Sequence, residues 1–214
     1  MFKLVAFSAT ALAGFTETDN AWDYLRKKHH IPNFYELFEQ GKLSRYAMFE
    51  RENAFWKQRG LTKEKMLQSL IDGYSLLSGA RDTAAELHRR GVRMAIIGES
   101  PLGFLESVAK QLNISMVAGM DFEWDKAGFP VAPKPTHPRL NDTLDKVAAL
   151  DAFARRSQAR TKECLVVGRS KTDIPMFQVA GFSIAFRAKD PAVERAASVV
   201  IRKPNVMDIL QYVR

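Results

Sequence analysis

In its C-terminal half the chain reads Val166-Val167-Gly168-Arg169-Ser170-Lys171-Thr172-Asp173-Ile174-Pro175-Met176-Phe177. The apolar residues before Gly168 predict a buried strand, the polar residues after it predict a tight loop, and Ile174-Pro175 predicts the start of a helix. A strand, a polar loop and a helix in this order are typical of an α/β fold with a parallel sheet. Ligands of such sheets bind beyond the carboxyl ends of the strands, so the loop from Arg169 to Asp173 is a candidate site.

The same alternation of strand-like and helical patterns recurs along most of the chain. Strands are predicted at Lys3–Phe7, Val92–Ile97, Ser115–Ala118, Cys164–Val167, Ser183–Phe186 and Ser198–Ile201, and helices at Ala80–Arg90, Pro101–Leu112 and Asp142–Arg156. The polar, proline-rich segment Asp121–Pro138 predicts a hairpin and a loop. Together these elements predict an α/β fold with a doubly wound, Rossmann-like parallel sheet.

One long segment, from Asp19 to about Asp72, has helical periodicity and no strand pattern. Helix breakers at Pro32, Gly41 and Gly60 divide it, and Thr62 is placed to cap the last helix at its N-terminus. We therefore expect a small cap of four helices inserted after the first strand. The expected domains are a core formed by residues 1–16 and 75–214 and a helical cap formed by residues 17–74.

The composition is that of an ordinary globular protein. Of the 214 residues, 46% are hydrophobic and 26% are charged, and no apolar stretch approaches the about 20 residues that span a bilayer. Cys164 is the only cysteine, so an intrachain disulfide is excluded and a reducing, cytoplasmic location is expected. The N-terminus imitates a signal peptide, with Lys3 before an apolar run and small residues. That run is short, however, and it also serves as the first strand.

The charge is strongly basic, with a formal net charge of +8. Basic runs such as Arg26-Lys27-Lys28 are usually solvated faces, although they could steer an acidic partner surface. No nucleic-acid motif is present, so nucleic acid is not an expected partner. The predicted cap is rich in aromatic residues, too many for a small helical unit to bury, which favours a contact with a protein partner or a second copy of the chain. These aromatic residues are Trp22, Phe34, Tyr35, Phe38, Tyr46, Phe49, Phe55 and Trp56.

The loop that follows Val167 resembles a motif of the haloacid dehalogenase superfamily, above all of its phosphoserine phosphatase branch. In that branch the loop reads Gly-Asp-Gly-x-Asn-Asp and holds Mg²⁺. Gly168 and Asp173 match this pattern, whereas Arg169 stands where the family has a metal-binding aspartate. The resemblance spans essentially the whole chain, and it implies a phosphatase scaffold with a helical cap.

The first strand also matches the family in position but not in chemistry. The family follows this strand with Asp-x-Asp-Gly-Thr, whose first aspartate attacks phosphorus and whose second transfers protons. Here Ser8 and Thr10 occupy these positions. A serine is a poor nucleophile without an adjacent base, and a threonine cannot shuttle protons near neutral pH. The resemblance therefore implies that both catalytic roles are lost, although Ser8 as a phosphorylated serine is an alternative.

Two further family positions can be compared. The family has a hydroxyl residue after its second strand, where this chain has Gly98, and Ser100 either substitutes for it or caps the helix that opens at Pro101. The family also has a lysine that holds nucleophile and phosphate together. Lys146, at 22 residues before Gly168, has the matching spacing, and Lys134 and Lys171 are alternatives.

The resemblance also implies that the metal site is lost and indicates which residues correspond to the family's substrate contacts. Asp173 is the surviving acidic position, and a cation at Arg169 opposes a divalent ion, so no Mg²⁺ cofactor is expected. We expect Arg169 to replace the ion and to pair with Asp173. Glu17 matches the family's acidic residue for the substrate amino group, and Arg51 is nearest to its substrate-binding arginine.

Three functions remain open from the sequence. The leading prediction is a catalytically inactive relative of these phosphatases that acts by binding, as a subunit, adaptor or regulator of a protein complex. The second is a sensor of phosphate or a phospho-metabolite that uses Lys146, Arg169, Ser100 and Glu17 as ligand-binding residues. The third is a phosphomonoester hydrolase with residual activity.

Overall fold

A computed structural model describes residues 2–134 and 145–213 and contains a parallel sheet at its centre. The six strands of this sheet follow the order β10-β9-β8-β1-β4-β5. Their bounds are Leu4–Ser8 for β1, Arg93–Pro101 for β4, Met116–Met120 for β5, Cys164–Gly168 for β8, Phe182–Phe186 for β9 and Val199–Ile201 for β10. All neighbouring strands pair in parallel, which confirms the predicted doubly wound sheet.

The centre of the sheet is buried because its strands carry apolar side chains on both faces. All five residues of β1 are buried, and β1 pairs with β4 through Phe7 and Ile96 and with β8 through Phe7 and Val167. Successive side chains point to opposite faces, so Val5 and Phe7 enter one hydrophobic core while Leu4 and Ala6 enter the other. The carboxyl ends of β1, β4 and β8 thus meet at one edge of the sheet.

Nine α-helices connect and cover the strands within the described residues. Their bounds are Ala21–His29 for α1, Tyr35–Glu39 for α2, Arg45–Gln58 for α3, Lys63–Gly73 for α4, Ala80–Arg89 for α5, Leu102–Gln111 for α6, Lys146–Arg156 for α7, Ile174–Val179 for α8 and Pro191–Ala196 for α9. The first four form the helical insertion after β1 that the sequence predicts. Thr62 caps α4 as expected, with its hydroxyl accepting the backbone N–H of Lys65.

A short antiparallel ribbon at the base of this insertion was not predicted. Its strands β2 (Ala13–Phe15) and β3 (Tyr74–Leu76) immediately precede and follow the four helices, and Phe15 pairs with Tyr74. Each strand has only three residues, which is too short for a clear alternating pattern. The ribbon brings the two chain connections of the insertion together.

The predicted hairpin is present in the described part of its segment. Strands β6 (Phe122–Trp124) and β7 (Pro130–Pro133) pair antiparallel beside the helical insertion, and Asn53 of α3 donates a hydrogen bond to the carbonyl of Val131. The end of the predicted loop at residues 135–138, including His137, lies outside the described residues. The predicted start of α7 at residues 142–144 also lies outside them.

The expected exposure of the aromatic residues in the insertion is wrong. Phe49 and Trp56 are buried, and Trp22 packs against both with ring centroids 6.1 and 5.9 Å away. Phe122 from the hairpin lies in the same cluster and is 1% exposed. The hairpin supplies the apolar surface that the four helices lack on their own. Of the eight aromatic residues, only Tyr46 is an exposed large hydrophobic side chain, at 46%.

None of the helices in the described part of the chain has the length and apolar character that crossing a membrane requires. Cys164 lies buried at the start of β8, and burial raises the pKa of its thiol to about 11. A thiol with so high a pKa carries little thiolate at neutral pH.

Candidate functional site

A cavity of about 190 Å³ lies between the helical insertion and the carboxyl edge of the sheet. The sheet side and α7 provide Ser8, Ala9, Thr10, Gly98, Glu99, Ser100, Met120, Lys146, Ser170 and Thr172, and the insertion provides Asn20, Trp22, Asp23, Arg26, Tyr35, Met48 and Phe49. This is the position where open α/β sheets bind ligands. The cavity lining therefore brings together five of the sequence-predicted site positions: Ser8, Thr10, Gly98, Ser100 and Lys146.

Ser8 and Thr10 lie at the carboxyl end of β1, in the middle of the sheet. Ser8 is 3% exposed, and its Oγ lies 3.4 Å from Oγ1 of Thr10. Neither hydroxyl can accept the proton of the other as a base would at neutral pH. The described contacts of Ser8 therefore do not activate it as a nucleophile.

Lys146 lies at the start of α7 and makes the strongest polar contact of the site. Its Nζ donates to Oδ1 of Asp173 at 2.7 Å and to Oγ1 of Thr172 at 2.7 Å. Both charged side chains are buried, with 7% of the Lys146 side chain and none of the Asp173 side chain exposed. Burial alone would raise the pKa of Asp173, but the charge of Lys146 and hydrogen bonds from Lys146 and from backbone N–H groups hold this pKa below its usual value.

The remaining oxygen of Asp173 holds the loop after β8. Its Oδ2 accepts the backbone N–H groups of Arg169 at 2.8 Å and Ser170 at 3.0 Å, and also the Ser170 hydroxyl at 3.1 Å. Gly168 makes room for this arrangement, because a Cβ at that position would lie 2.7 Å from Cβ of Asp173. The loop thus keeps its shape through one buried carboxylate.

The predicted ion pair between Arg169 and Asp173 is wrong. The Arg169 guanidinium turns away from the cavity, donating to Oδ1 of Asp19 at 3.1 Å and to the carbonyl of Arg187 at 3.2 Å. Lys189 donates to the other oxygen of Asp19 at 2.6 Å. Asp19 lies two residues before α1, so these contacts join the N-terminal end of the insertion to the loops after β8 and β9. Because Lys146 neutralises Asp173, the Arg169 guanidinium pairs with the carboxylate of Asp19 instead.

The predicted cap by Ser100 is also wrong. Strand β4 runs on to Pro101, α6 begins at Leu102, and no side chain caps its N-terminus. Ser100 instead lines the cavity together with Gly98, where its hydroxyl can substitute for the family's hydroxyl residue. Gly98 itself has no space for a hydroxyl, since a Cβ there would lie 2.9 Å from Cβ of Ala9.

Glu17 and Arg51, the expected substrate contacts, lie apart from the cavity. Glu17 is exposed and pairs with Lys27, and Arg51 lies over the ring of Phe34 at 5.8 Å. Instead, α1 places Asp23 and Arg26 in the cavity wall. The basic run Arg26-Lys27-Lys28 is predicted to be a solvated face, but only Lys27 and Lys28 are exposed. The missed signal is the helical spacing from Trp22 to Arg26, which puts both on one face.

Arg26 is held by two carboxylates of the insertion. Its Nε and NH2 groups donate to Oε1 of Glu52 at 2.9 and 2.8 Å, and its NH1 group donates to Oδ1 of Asp23 at 2.9 Å. Glu52 on α3 is fully buried, and among the described residues its Oε2 has no hydrogen-bond partner. Burial raises the pKa of Glu52, against the attraction of Arg26, which lowers it.

The side chains at Asp173 do not fit the Mg²⁺ that the family resemblance implies. Mg²⁺ requires oxygen ligands in nearly octahedral geometry, usually from carboxylates and water. Oδ1 of Asp173 lies 2.7 Å from the Lys146 ammonium, and Oδ2 accepts backbone N–H groups. Residues 2–134 and 145–213 also contain no group of three or more His, Cys, Asp or Glu side chains placed to hold a metal ion. Hydrogen bonds and a buried ion pair hold this loop instead.

Comparison with known proteins places the chain beside phosphatases. It is 30% identical over 138 residues to a phosphoserine phosphatase of Lactococcus lactis, a match that covers 64% of this chain and 62% of that protein, which is less than two thirds of its length. A phosphoserine phosphatase of Methanocaldococcus jannaschii is 27% identical over 185 residues, covering 82% of this chain and 84% of that protein.

Solved structures give the same fold. A phosphoserine phosphatase with an analogue of its phospho-aspartyl intermediate superimposes with a TM-score of 0.78 at 19% identity, covering 100% of this chain and 99% of that one. A HAD family hydrolase from Salmonella enterica gives a TM-score of 0.79 at 19% identity, covering 97% of this chain and 70% of that one. The model of the haloacid dehalogenase-like hydrolases matches residues 11–181. The chain therefore belongs to the haloacid dehalogenase-like hydrolase family.

Proposed function

We propose that this protein binds a small phosphate monoester in the cavity and does not hydrolyse it. The observation that carries this proposal is the Lys146 ammonium at the sheet side of the cavity, among the hydroxyls of Ser8, Thr10, Ser170 and Thr172. An ammonium group and several hydroxyls are suitable donors for phosphate oxygens. They are provided by separate segments that converge at the carboxyl edge of the sheet.

The charge at this end of the cavity also favours binding. The family pattern has carboxylates where this chain has Ser8 and Thr10, and a phosphate dianion beside carboxylates is repelled unless a divalent cation lies between them. Hydroxyls at both positions remove that repulsion and donate hydrogen bonds. The cavity can thus accept a phosphate without the metal ion that the family pattern requires.

The same substitutions argue against hydrolysis. Attack on phosphorus needs an activated nucleophile, and the described partner of the Ser8 hydroxyl is another hydroxyl, that of Thr10. Asp173 cannot act as the base for Ser8, because its oxygens already bind Lys146 and backbone N–H groups. A phosphate bound here would have a lysine to stabilise it but no group to attack it.

Two other roles remain to be compared with phosphate binding. Residual phosphomonoester hydrolysis is favoured by the relatives, which are named phosphoserine phosphatases. A role as an inactive adaptor of a protein complex has less support, since seven of the eight aromatic residues that favoured a protein contact are buried or packed against the core, and Tyr46 is the exposed one. The experiments below separate binding from hydrolysis.

Binding is tested by calorimetric titration of the native protein with inorganic phosphate and with ethyl phosphate. We expect saturable binding that Thr10→Val weakens by removing one donor, and that Ser8→Asp weakens by about tenfold or more in the absence of Mg²⁺. Lys171→Met is the control, because it changes a side chain of the loop after β8 that is not in the cavity lining. No binding of either compound would contradict the proposal.

Hydrolysis is tested by measuring phosphate release from O-phospho-L-serine and from an aryl phosphate, with and without Mg²⁺. We expect no release above that of Ser8→Ala, purified in the same way. Release by the native protein that Ser8→Ala abolishes would show that the cavity is catalytic, and the non-hydrolysing role would be wrong.

A further inference from the structure

Building on the proposed phosphate binding, we infer that the ligand is an aminoalkyl phosphate, a phosphate monoester whose other end carries an ammonium group and no carboxylate. Its phosphate would lie beside Lys146, and its ammonium would lie at the opposite, insertion side of the cavity beside Asp23. This class differs from phosphoserine, after which the phosphoserine phosphatase relatives are named, by the absence of a carboxylate.

The insertion side of the cavity is negatively charged. Asp23 and Arg26 both line it, and Arg26 already bonds to the carboxylates of Asp23 and Glu52. This cluster therefore contains one positive and two negative charges. Glu99 adds a further carboxylate to the cavity lining from the end of β4. An ammonium group is attracted to this surface, and a carboxylate is repelled from it.

The charged cavity side chains that the structure describes point the same way. Two cations, Arg26 and Lys146, lie in the lining together with the carboxylates of Asp23 and Glu99. Both cations are already bonded to fully buried carboxylates, Arg26 to Glu52 and Lys146 to Asp173. An aminoalkyl phosphate adds less negative charge to this surrounding than phosphoserine does, because phosphoserine has an additional carboxylate.

Arg26 is not placed to bind a ligand carboxylate as a bidentate partner. Two of its three nitrogens donate to the same oxygen of Glu52 and the third donates to Asp23, at distances between 2.8 and 2.9 Å. A ligand carboxylate would become the third anion around one guanidinium. Asp23 accepts from Arg26 on Oδ1 and from the Asn20 amide on Oδ2 at 2.7 Å, and each carboxylate oxygen has a second lone pair for a ligand ammonium. Its side chain is 41% exposed and lines the cavity.

Aromatic side chains complete the wall on this side. Trp22, Tyr35 and Phe49 line the cavity, and Trp22 is fixed by a 2.7 Å hydrogen bond from its indole N–H to the carbonyl of Glu99. A cation near the faces of such rings is attracted by their quadrupoles, whereas an anion is not. The aromatic side chains and the carboxylates on this side of the cavity therefore both favour a positively charged ligand group.

The decisive experiment compares three matched ligands on the native protein by calorimetric titration. Ethyl phosphate, 2-aminoethyl phosphate and O-phospho-L-serine share the phosphate and a two-carbon chain. They differ by the ammonium group and then by the carboxylate. We expect 2-aminoethyl phosphate to bind about tenfold more tightly than ethyl phosphate, and O-phospho-L-serine to bind more weakly than 2-aminoethyl phosphate.

A variant of Asp23 tests whether this residue contacts the ammonium group of the ligand. Asp23→Asn should reduce the ratio of the affinities for 2-aminoethyl phosphate and ethyl phosphate from about tenfold to about one. Asparagine keeps the oxygen that accepts from Arg26, but its NH2 group faces the Asn20 amide, which in the native protein donates to Oδ2 of Asp23 at 2.7 Å, so the melting temperature of the variant is measured beside the titrations. Asp72→Asn is the control, because it removes one exposed carboxylate from the same insertion, where Asp72 bonds to Gln68 outside the cavity.

The outcomes separate this inference from the proposed function. If inorganic phosphate and ethyl phosphate do not bind, phosphate binding itself is wrong. If ethyl phosphate binds as tightly as 2-aminoethyl phosphate, or O-phospho-L-serine binds most tightly, the ligand class is wrong and phosphate binding stands. An unchanged preference for 2-aminoethyl phosphate in Asp23→Asn would overturn the assignment of the ammonium contact.

Discussion

Nζ of Lys146 lies 2.7 Å from Oδ1 of Asp173, and this buried pair joins the start of α7 to the loop after β8. The two residues are 27 positions apart in the sequence. They meet beside the cavity because the start of α7 and the loop after β8 both lie at the carboxyl edge of the sheet. A buried carboxylate that loses its cation keeps its desolvation cost. The pair therefore determines the shape of the phosphate end of the cavity as well as its charge.

Removing the cation of this pair should destabilise the protein strongly. We expect Lys146→Met to lower the free energy of unfolding by about 3 kcal/mol, because Asp173 would stay buried and charged with hydrogen bonds but no counter-ion. The double variant Lys146→Met, Asp173→Asn should recover part of this loss. Urea denaturation followed by circular dichroism measures both. Equal stability of the native protein and Lys146→Met would show that the pair is not maintained in solution.

The pH dependence of stability should reveal the ionised state of Asp173. Its pKa in the folded protein lies below the value of 3.8 that it has when unfolded. The stability that its carboxylate contributes is therefore complete above about pH 5 and is lost as the pH falls through the folded pKa. The stability difference between the native protein and Asp173→Asn should be constant at neutral pH and shrink in acid. A difference that grows in acid would contradict this assignment.

Glu52 should respond to pH in the opposite direction. Burial raises the pKa of Glu52 above its unfolded value of 4.5, so its contribution to stability is complete below that value and declines as the pH rises through the folded pKa. Relative to Glu52→Gln, the native protein should lose stability over this range. Glu50→Gln, which changes an exposed carboxyl on the same helix, serves as the control and should not reproduce the trend.

The contacts of Asp19 should hold the helical insertion against the core. Asp19 bonds to Arg169 at 3.1 Å and to Lys189 at 2.6 Å, but 53% of its side chain is exposed, so solvent weakens both ion pairs. We expect Asp19→Asn to cost about 1 kcal/mol or less in global stability. Amide hydrogen exchange at the N-terminal end of α1 should nevertheless become faster, and high salt should produce the same effect in the native protein. Unchanged exchange would show that the contacts do not restrain the insertion.

Mg²⁺ should not stabilise this protein. Lys146 already neutralises Asp173, and Ser8 supplies no charge, so the melting temperature should be the same in Mg²⁺ and in a chelator. The triple variant Ser8→Asp, Thr10→Asp, Arg169→Asp adds three carboxylates at the family positions and should melt at a higher temperature in Mg²⁺. A rise in the melting temperature of the native protein would show that its own residues hold the ion.

Much of the architecture could be predicted from the sequence because strands and helices leave local periodic patterns. Two apolar runs show this, Lys3–Phe7 and Cys164–Val167. The bounds that they predict differ by at most one residue from those of the observed strands, Leu4–Ser8 for β1 and Cys164–Gly168 for β8. The four helices of the insertion were predicted in the same way, with Thr62 as a cap. The family resemblance added Ser8, Thr10 and Lys146, and all three line one cavity.

The sequence alone thus determined the fold class, the family and the side chains at the carboxyl edge of the sheet. Only the tertiary structure decided which charges pair. Arg169 bonds to Asp19, 150 residues away, and Arg26 bonds to Glu52, 26 residues away. Periodicity is a property of neighbouring residues, whereas an ion pair depends on how distant segments pack and on how much water each charge loses. Arg26 is therefore buried in the cavity wall, although its sequence neighbours form an exposed basic run.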